Sequence, residues 1–223
     1  GVRQERRMLM KKGCILCLLI SVISLPLIAQ NIIYSNLKEL LTQHGDTTAV
    51  LRVEKRSRNQ IVLTGGADYR ITAGDDESMC RRLKKRCFAV RDEKGNLYLN
   101  CRKLRYKKLR FGAWYAPAVQ LGKNIYFCAM PLGSVIGGNF VEEDDVKLGG
   151  NIGDALAASS LVTKRVCYEL NGETGKVDFL GKDRMLQLLK NYPELKQAYL
   201  KDDSQEAKHT FKYLLELQNK QKK

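Results

Sequence analysis

Histidine is nearly missing from this chain. His44 and His209 are the two in 223 residues. A Ser-His-Asp or Cys-His centre needs one of them beside a nucleophile. His44 stands in the turn-like "QHGD" and His209 in a polar stretch of the last helical segment, so both read as surface residues. Zinc is poorly served too, because no Cys-x-x-Cys follows residue 29 and no histidine pair exists. No Gly-x-Gly-x-x-Gly opens a helix after a strand, and no P-loop occurs. "SNLK" at Ser35–Lys38 has the spacing of a serine acyl-enzyme, but the Lys-Thr-Gly partner is missing. It reads as a helix start. The acidic runs Asp75–Glu77 and Glu142–Asp145 lack the alternate spacing of a calcium loop and read as solvated turns. The expectation is therefore no metal and no cofactor. Two converging carboxylates would serve a glycosidase, and no spacing singles out such a pair.

Long apolar runs are also scarce. Cys14–Ile28 spans fifteen residues, short of the ~20 that cross a bilayer as a helix. It follows Lys11 and Lys12 and precedes the small Ala29, the three-part pattern of a secretory signal peptide. Residues 1–29 are expected to be that leader, with 1–7 an upstream extension before Met8. The reading places the chain outside the cytoplasm: periplasmic, envelope-associated or secreted. No membrane span is expected after cleavage. Cys14-x-x-Cys17 falls inside the leader and carries no site.

Charge of one sign is abundant and local. Net charge is +15 for the whole chain. Residues 1–29 hold five basic groups and one acid, leaving +11 on residues 30–223. Residues 81–110 alone hold thirteen Lys or Arg against Asp92 and Glu93, again +11. The remainder is neutral in sum. Phe88, Tyr98, Tyr106 and Phe111 interleave with these cations, a composition suited to polyanions. An exported protein is not expected to meet nucleic acid. Lipid A, an acidic glycan, a membrane surface or another envelope protein is the more available partner. The candidate binding residues are Arg81, Arg82, Lys84, Lys85, Arg86, Arg102, Lys103, Arg105, Lys107, Lys108 and Arg110. The plain alternative is a wet hairpin face whose charges prevent edge-to-edge association.

Five cysteines follow the leader: Cys80, Cys87, Cys101, Cys128 and Cys167. An oxidising compartment permits one or two disulfides, and connectivity is not readable from sequence. A bond among Cys80, Cys87, Cys101 and Cys128 is the favoured expectation. Cys101 and Cys128 are alternatively buried core thiols, and the cations lower the pKa of neighbouring thiols.

The spacing predicts a short helix at "NLKELLTQ", capped by Asn36 with Glu39 three residues on. "AVLRVEKR", "NQIVLTG" and "DYRITAG" carry a strand signature. "DDESMCRRLKKR" fits either a short helix or a twisted strand. "CFAVRDEKGNLYLNC", "GAWYAPAVQLGKNIYFCAMP" and "RVCYELNGETGKVDFL" each place a Gly-containing turn between apolar runs, hence three hairpins. Met185, Leu188, Leu189 and Tyr192 recur at helical spacing up to Pro193, and Leu195, Tyr199, Phe211, Leu214 and Leu215 continue it. The Gly-, Ala- and Ser-rich stretch 133–160 reads as a loop with a small-residue helix, or as an assembly surface.

These segments, from "LTGGADYRI" through "GGNIGDALAASS" to "CYELNGETGKVDFLGKDRMLQLLKNYPELKQAYL", resemble a family of uncharacterised exported proteins from Bacteroidetes. The resemblance covers most of the chain after residue 29. It implies export and a shared fold, and it supplies no activity or site residue. The acids 142–145 and Asp154 interrupt a stretch where the resemblance implies small and apolar residues, which counts against a membrane role there.

The expected architecture is α+β: one domain over 30–223, an antiparallel sheet or sandwich of hairpins from about 48 to 180, and a helical tail from about 182 to 219. The leading functional expectation is a non-enzymatic envelope protein contacting an anionic partner. A hydrolase of envelope or dietary glycan, and an assembly protein using 133–160, are the alternatives.

Overall fold

A computed structural model of the chain describes residues 30–57, 59–61, 66–107, 109–129, 166–202 and 207–222. The expected leader, the stretch 133–160 and Lys108 lie outside them. The chain is α+β, an antiparallel sheet with C-terminal helices.

Among the described residues, ten strands make the main sheet. Strand β1 (Asn31–Tyr34) pairs with β2 (Asp46–Thr48) and with β5 (Ala89–Arg91). Beyond β5 come β6 (Leu97–Asn100), β9 (Tyr115–Leu121), β10 (Asn124–Ala129), β11 (Val166–Leu170) and β12 (Val177–Phe179), each antiparallel to its neighbour. The three expected hairpins are β5–β6, β9–β10 and β11–β12. A side ribbon of β3 (Arg52–Lys55) and β4 (Tyr69–Thr72) joins the sheet where Tyr69 pairs with Tyr115. On the same edge of β9, β10 pairing begins at Ala118. Pro117 thus falls where that edge changes partners, a place that tolerates a residue without an N–H. A separate two-stranded ribbon consists of β7 (Arg105–Tyr106) and β8 (Leu109–Arg110).

Side chains alternate across the sheet, and each face has its own cover. Tyr34, Ala89, Leu97, Leu99, Ala116, Phe127 and Tyr168 line one face, covered by Leu40 of α1 (Leu37–Thr42) and by Leu104, Tyr106 and Phe111 around the β7–β8 ribbon. Phe111, Phe127 and Tyr168 meet there with ring centroids 4.7 to 5.6 Å apart. On the other face, Val90, Tyr98 and Tyr115 pack with Leu83 of α2 (Glu77–Lys85). The same face continues through Val119, Tyr126 and Cys167. It is covered there by α3 (Lys182–Leu188), α4 (Pro193–Lys201) and α5 (Ala207–Gln221), through Met185, Leu195, Leu214 and Leu217.

Local chemistry sets the helix ends. Asn36 Oδ1 accepts from Glu39 N at 2.9 Å, and the Glu39 carboxylate accepts from Ser35 N at 2.7 Å. Asp76 caps α2 by accepting from Met79 N, with Glu77 in the first turn and Lys84 and Lys85 in the last. That charge order suits the helix dipole and decides the segment for helix over strand.

Three expectations change. The sheet begins at Asn31, not near residue 48, because "NIIY" pairs on both sides although its four residues carry no period. "NQIVLTG" is not a strand over its described part: 59–61 are helical. Ser57 and Gln60 cap that turn reciprocally, Ser57 N to Gln60 Oε1 at 2.9 Å and Gln60 N to Ser57 Oγ at 3.2 Å, a capping box written in "SRNQ". Pro193 opens α4 from its first turn, where its missing N–H costs nothing.

Candidate anion-binding surface

Helix α2 lies on the sheet with Leu83 fully buried and with Arg81, Lys84, Lys85 and Arg86 exposed. Its C-terminal end is fixed by buried polar groups. Asn100, fully buried, donates to Leu83 O at 3.2 Å and to Cys87 O at 2.8 Å, and accepts from Arg102 N at 3.2 Å. Tyr115 OH donates to the same Leu83 O at 2.7 Å. These bonds satisfy carbonyls that a helix end leaves without partners. Arg82 binds Asp46 and donates to Ser35 Oγ at 3.3 Å, tying α2 to the β1–β2 end.

The basic segment then crosses the sheet. Arg102 and Lys103 are exposed on a 3₁₀ turn, Cys101–Lys103, at the end of β6. Arg105, Lys107 and Arg110 are exposed on the β7–β8 ribbon, whose Tyr106 is buried in the opposite face from Leu83. The candidate cations therefore form two groups on opposite faces, with Arg102 and Lys103 between them. Lys108 lies outside the described residues. Arg105 stands directly opposite Arg110 in the ribbon register, an arrangement that destabilises a strand pair. Lys107 turns the ribbon in the left-handed region, φ 52°, with its ammonium 5.5 Å from the Tyr106 ring centroid.

Two residues missed by the sequence reading join the α2 group. Trp114 is partly exposed and precedes β9 with φ 79°. The Arg70 guanidinium and the Lys84 ammonium lie over its ring, 5.3 and 5.7 Å from the centroid. Arg70 belongs to β4, forty-four positions before Trp114, and nothing in the local pattern joins them. The signal lay in Gly66. Built on that glycine, a Cβ would stand 2.2 Å from Ala113 O, so the close approach of 66–67 to 113–114 requires glycine.

The cysteines pair differently from the favoured expectation. Cys128 and Cys167 face each other in the β10–β11 register and form a disulfide, Cα atoms 4.0 Å apart. Cys80, Cys87 and Cys101 are free. Burial pushes the Cys87 thiol up to about 11, against the smaller opposing effects of Tyr115 and Arg82. Burial also raises Cys101. The neighbouring cations thus do not activate these two thiols. Alkylation near pH 8 followed by peptide mapping should modify Cys80 first, and Cys87 and Cys101 only on unfolding. Labelling of Cys87 in the folded chain at the rate of Cys80 would contradict this.

His209 Nδ1 lies 3.0 Å from Asp202 Oδ2, tying α5 to the end of α4. His44 is exposed just after α1. Among the described residues, no three His, Cys, Asp or Glu side chains group to hold a metal, and no helix is long and apolar enough to cross a membrane. A model of a family of unknown function (DUF6563) matches residues 32–221. The chain belongs to that family. The DUF6563 match runs from within β1 to the last residue of α5. No curated protein and no solved structure matches the chain.

Proposed function

We propose that the chain is a non-enzymatic binding module of the cell envelope that contacts an anionic partner through its basic segment. One observation carries the reading. Among the described cations of 81–110, Arg82 alone forms an ion pair with a carboxylate. The fold pairs one charge of this group with an acid and leaves the other described ones without a carboxylate partner, with Arg105 opposite Arg110. Like charges so placed favour an anion between or beside them. Export is supported by the Cys128–Cys167 bond, which persists in oxidising compartments.

Retention on heparin or immobilised lipid A tests the proposal. Binding should hold at about 0.05 M salt and be lost by about 0.5 M, as the screening length falls well below ~10 Å. Replacing Lys107 and Lys108 by Glu, or Lys84 and Lys85 by Glu, should lower the eluting salt. Elution that ignores both salt and these replacements would sink the polyanion reading. Lys107 and Lys84 belong to different groups, so the larger change identifies the face in use.

A further inference from the structure

Several unfavourable local features coincide at Trp114. It is the chain's one tryptophan, and its φ of 79° is in a region that bulky residues avoid. The backbone leaves it no other choice. Ala113 O accepts from Ala67 N at 3.1 Å, Trp114 O accepts from Cys101 N at 2.9 Å, and Tyr115 is paired with both Asn100 and Tyr69. The ring is thereby held at the surface beside two like charges. Arg70 stands opposite Glu54 in the β3–β4 register, yet its guanidinium lies over Trp114 and forms no ion pair with that acid. Lys84 reaches the same ring from α2. The ring's negative face offsets part of their repulsion and fixes their spacing. Arg102 is one residue beyond Cys101, whose N–H binds the Trp114 carbonyl.

We infer that Trp114, Arg70 and Lys84 form a binding site for an acidic saccharide, a sugar bearing carboxylate or sulfate groups. The inference rests on the anionic-partner reading above and narrows it. Arg70 offers a planar fork to a carboxylate or sulfate, Lys84 a second point charge, and the ring an apolar edge for sugar C–H groups. Two features disfavour other polyanions. Nucleobases stack on a ring face, and here Arg70 and Lys84 compete for the face of the Trp114 ring. A bilayer surface favours apolar residues that insert, whereas the large exposed hydrophobics among the described residues are Val50, Leu200 and Leu215, none of them in this group.

Excitation at 295 nm reads this site alone, because no second tryptophan exists. The intact chain would be titrated with a heparin-derived hexasaccharide, an oligogalacturonate, a neutral hexasaccharide, a ten-residue oligothymidylate and phosphatidylserine vesicles. Expected is a saturable emission change with the two acidic saccharides and none with the neutral one. Arg70→Gln and Lys84→Gln should each weaken binding about tenfold or more, as loss of a charge-assisted contact does, with an unchanged circular-dichroism spectrum. Lys176→Gln, in the exposed β11–β12 turn, should leave it unchanged. Silent emission while heparin retention persists would overturn this site and leave the broader reading standing. Loss of heparin retention altogether would end both. An equal or larger response to the oligonucleotide or the vesicles would overturn the saccharide assignment.

Discussion

Replacing Cys128 and Cys167 together by alanine is expected to cost about 4 kcal/mol of stability. The bond joins positions 39 apart in sequence. In the chain-entropy account, a loop of that length restricts the unfolded chain by about that much. The native side asks for no rearrangement, because the two residues already face each other in the β10–β11 register. Their sulfurs sit beside the start of α5, 3.7 and 3.4 Å from Ala207 O. For a chain of this size the melting temperature should fall by on the order of 10 °C. Thermal melts of the oxidised, reduced and doubly substituted chains check it. The two single substitutions should each cost about as much as the pair, since either one breaks the bond. Additive losses, or a melting temperature indifferent to reductant, would mean that the bond does not restrain the unfolded chain.

That register was not legible in the sequence, although both strands were. The three hairpins announce themselves, since each needs only a Gly-containing turn between two apolar runs. Helix α1 was legible because Asn36 and Glu39 sit at cap spacing, and the C-terminal helices because their leucines recur every three or four residues. Partner choice between distant segments is different in kind. Which strand lies beside β11 is decided by packing across the sheet, and no spacing encodes it. The same holds for β1, whose four residues become a strand only between β2 and β5.

The candidate site divides along the same line. The charge of 81–110 is plain in composition. Its division between two faces is not, because that depends on Tyr106 and Leu83 entering opposite sides of one sheet. Trp114 and Arg70 are joined by no local pattern beyond the requirement for glycine at position 66, since β4 reaches β9 through a single paired residue, Tyr69 with Tyr115. The sequence displays the cations, and the long-range pairing selects which of them share a ring.

Asn100→Leu is the second change expected to have a large effect, a loss of about 3 kcal/mol. Asn100 is fully buried and supplies donors to Leu83 O and Cys87 O. Leucine removes both donors, leaving Cys87 O without its Asn100 bond and Leu83 O with Tyr115 alone. Tyr115→Phe by itself should cost only about 1 kcal/mol, because Asn100 still serves that carbonyl. The two together should exceed their sum, since Leu83 O then loses both donors. Chemical denaturation of the four chains measures the coupling. Asn100→Asp gives an independent check of sign. A carboxylate facing two carbonyls is disfavoured when charged, so its folded pKa is raised. Its contribution is then fullest at low pH and falls as pH rises through that value. The Asp variant should therefore gain stability relative to the parent as pH falls from about 7 toward 5. The opposite trend would mean that the side chain reaches solvent. Because these bonds hold the end of α2 on the sheet, the Leu variant should also weaken heparin retention at temperatures where it remains folded, although no charge has been altered. Retention equal to that of the parent would separate the position of Lys84 from binding.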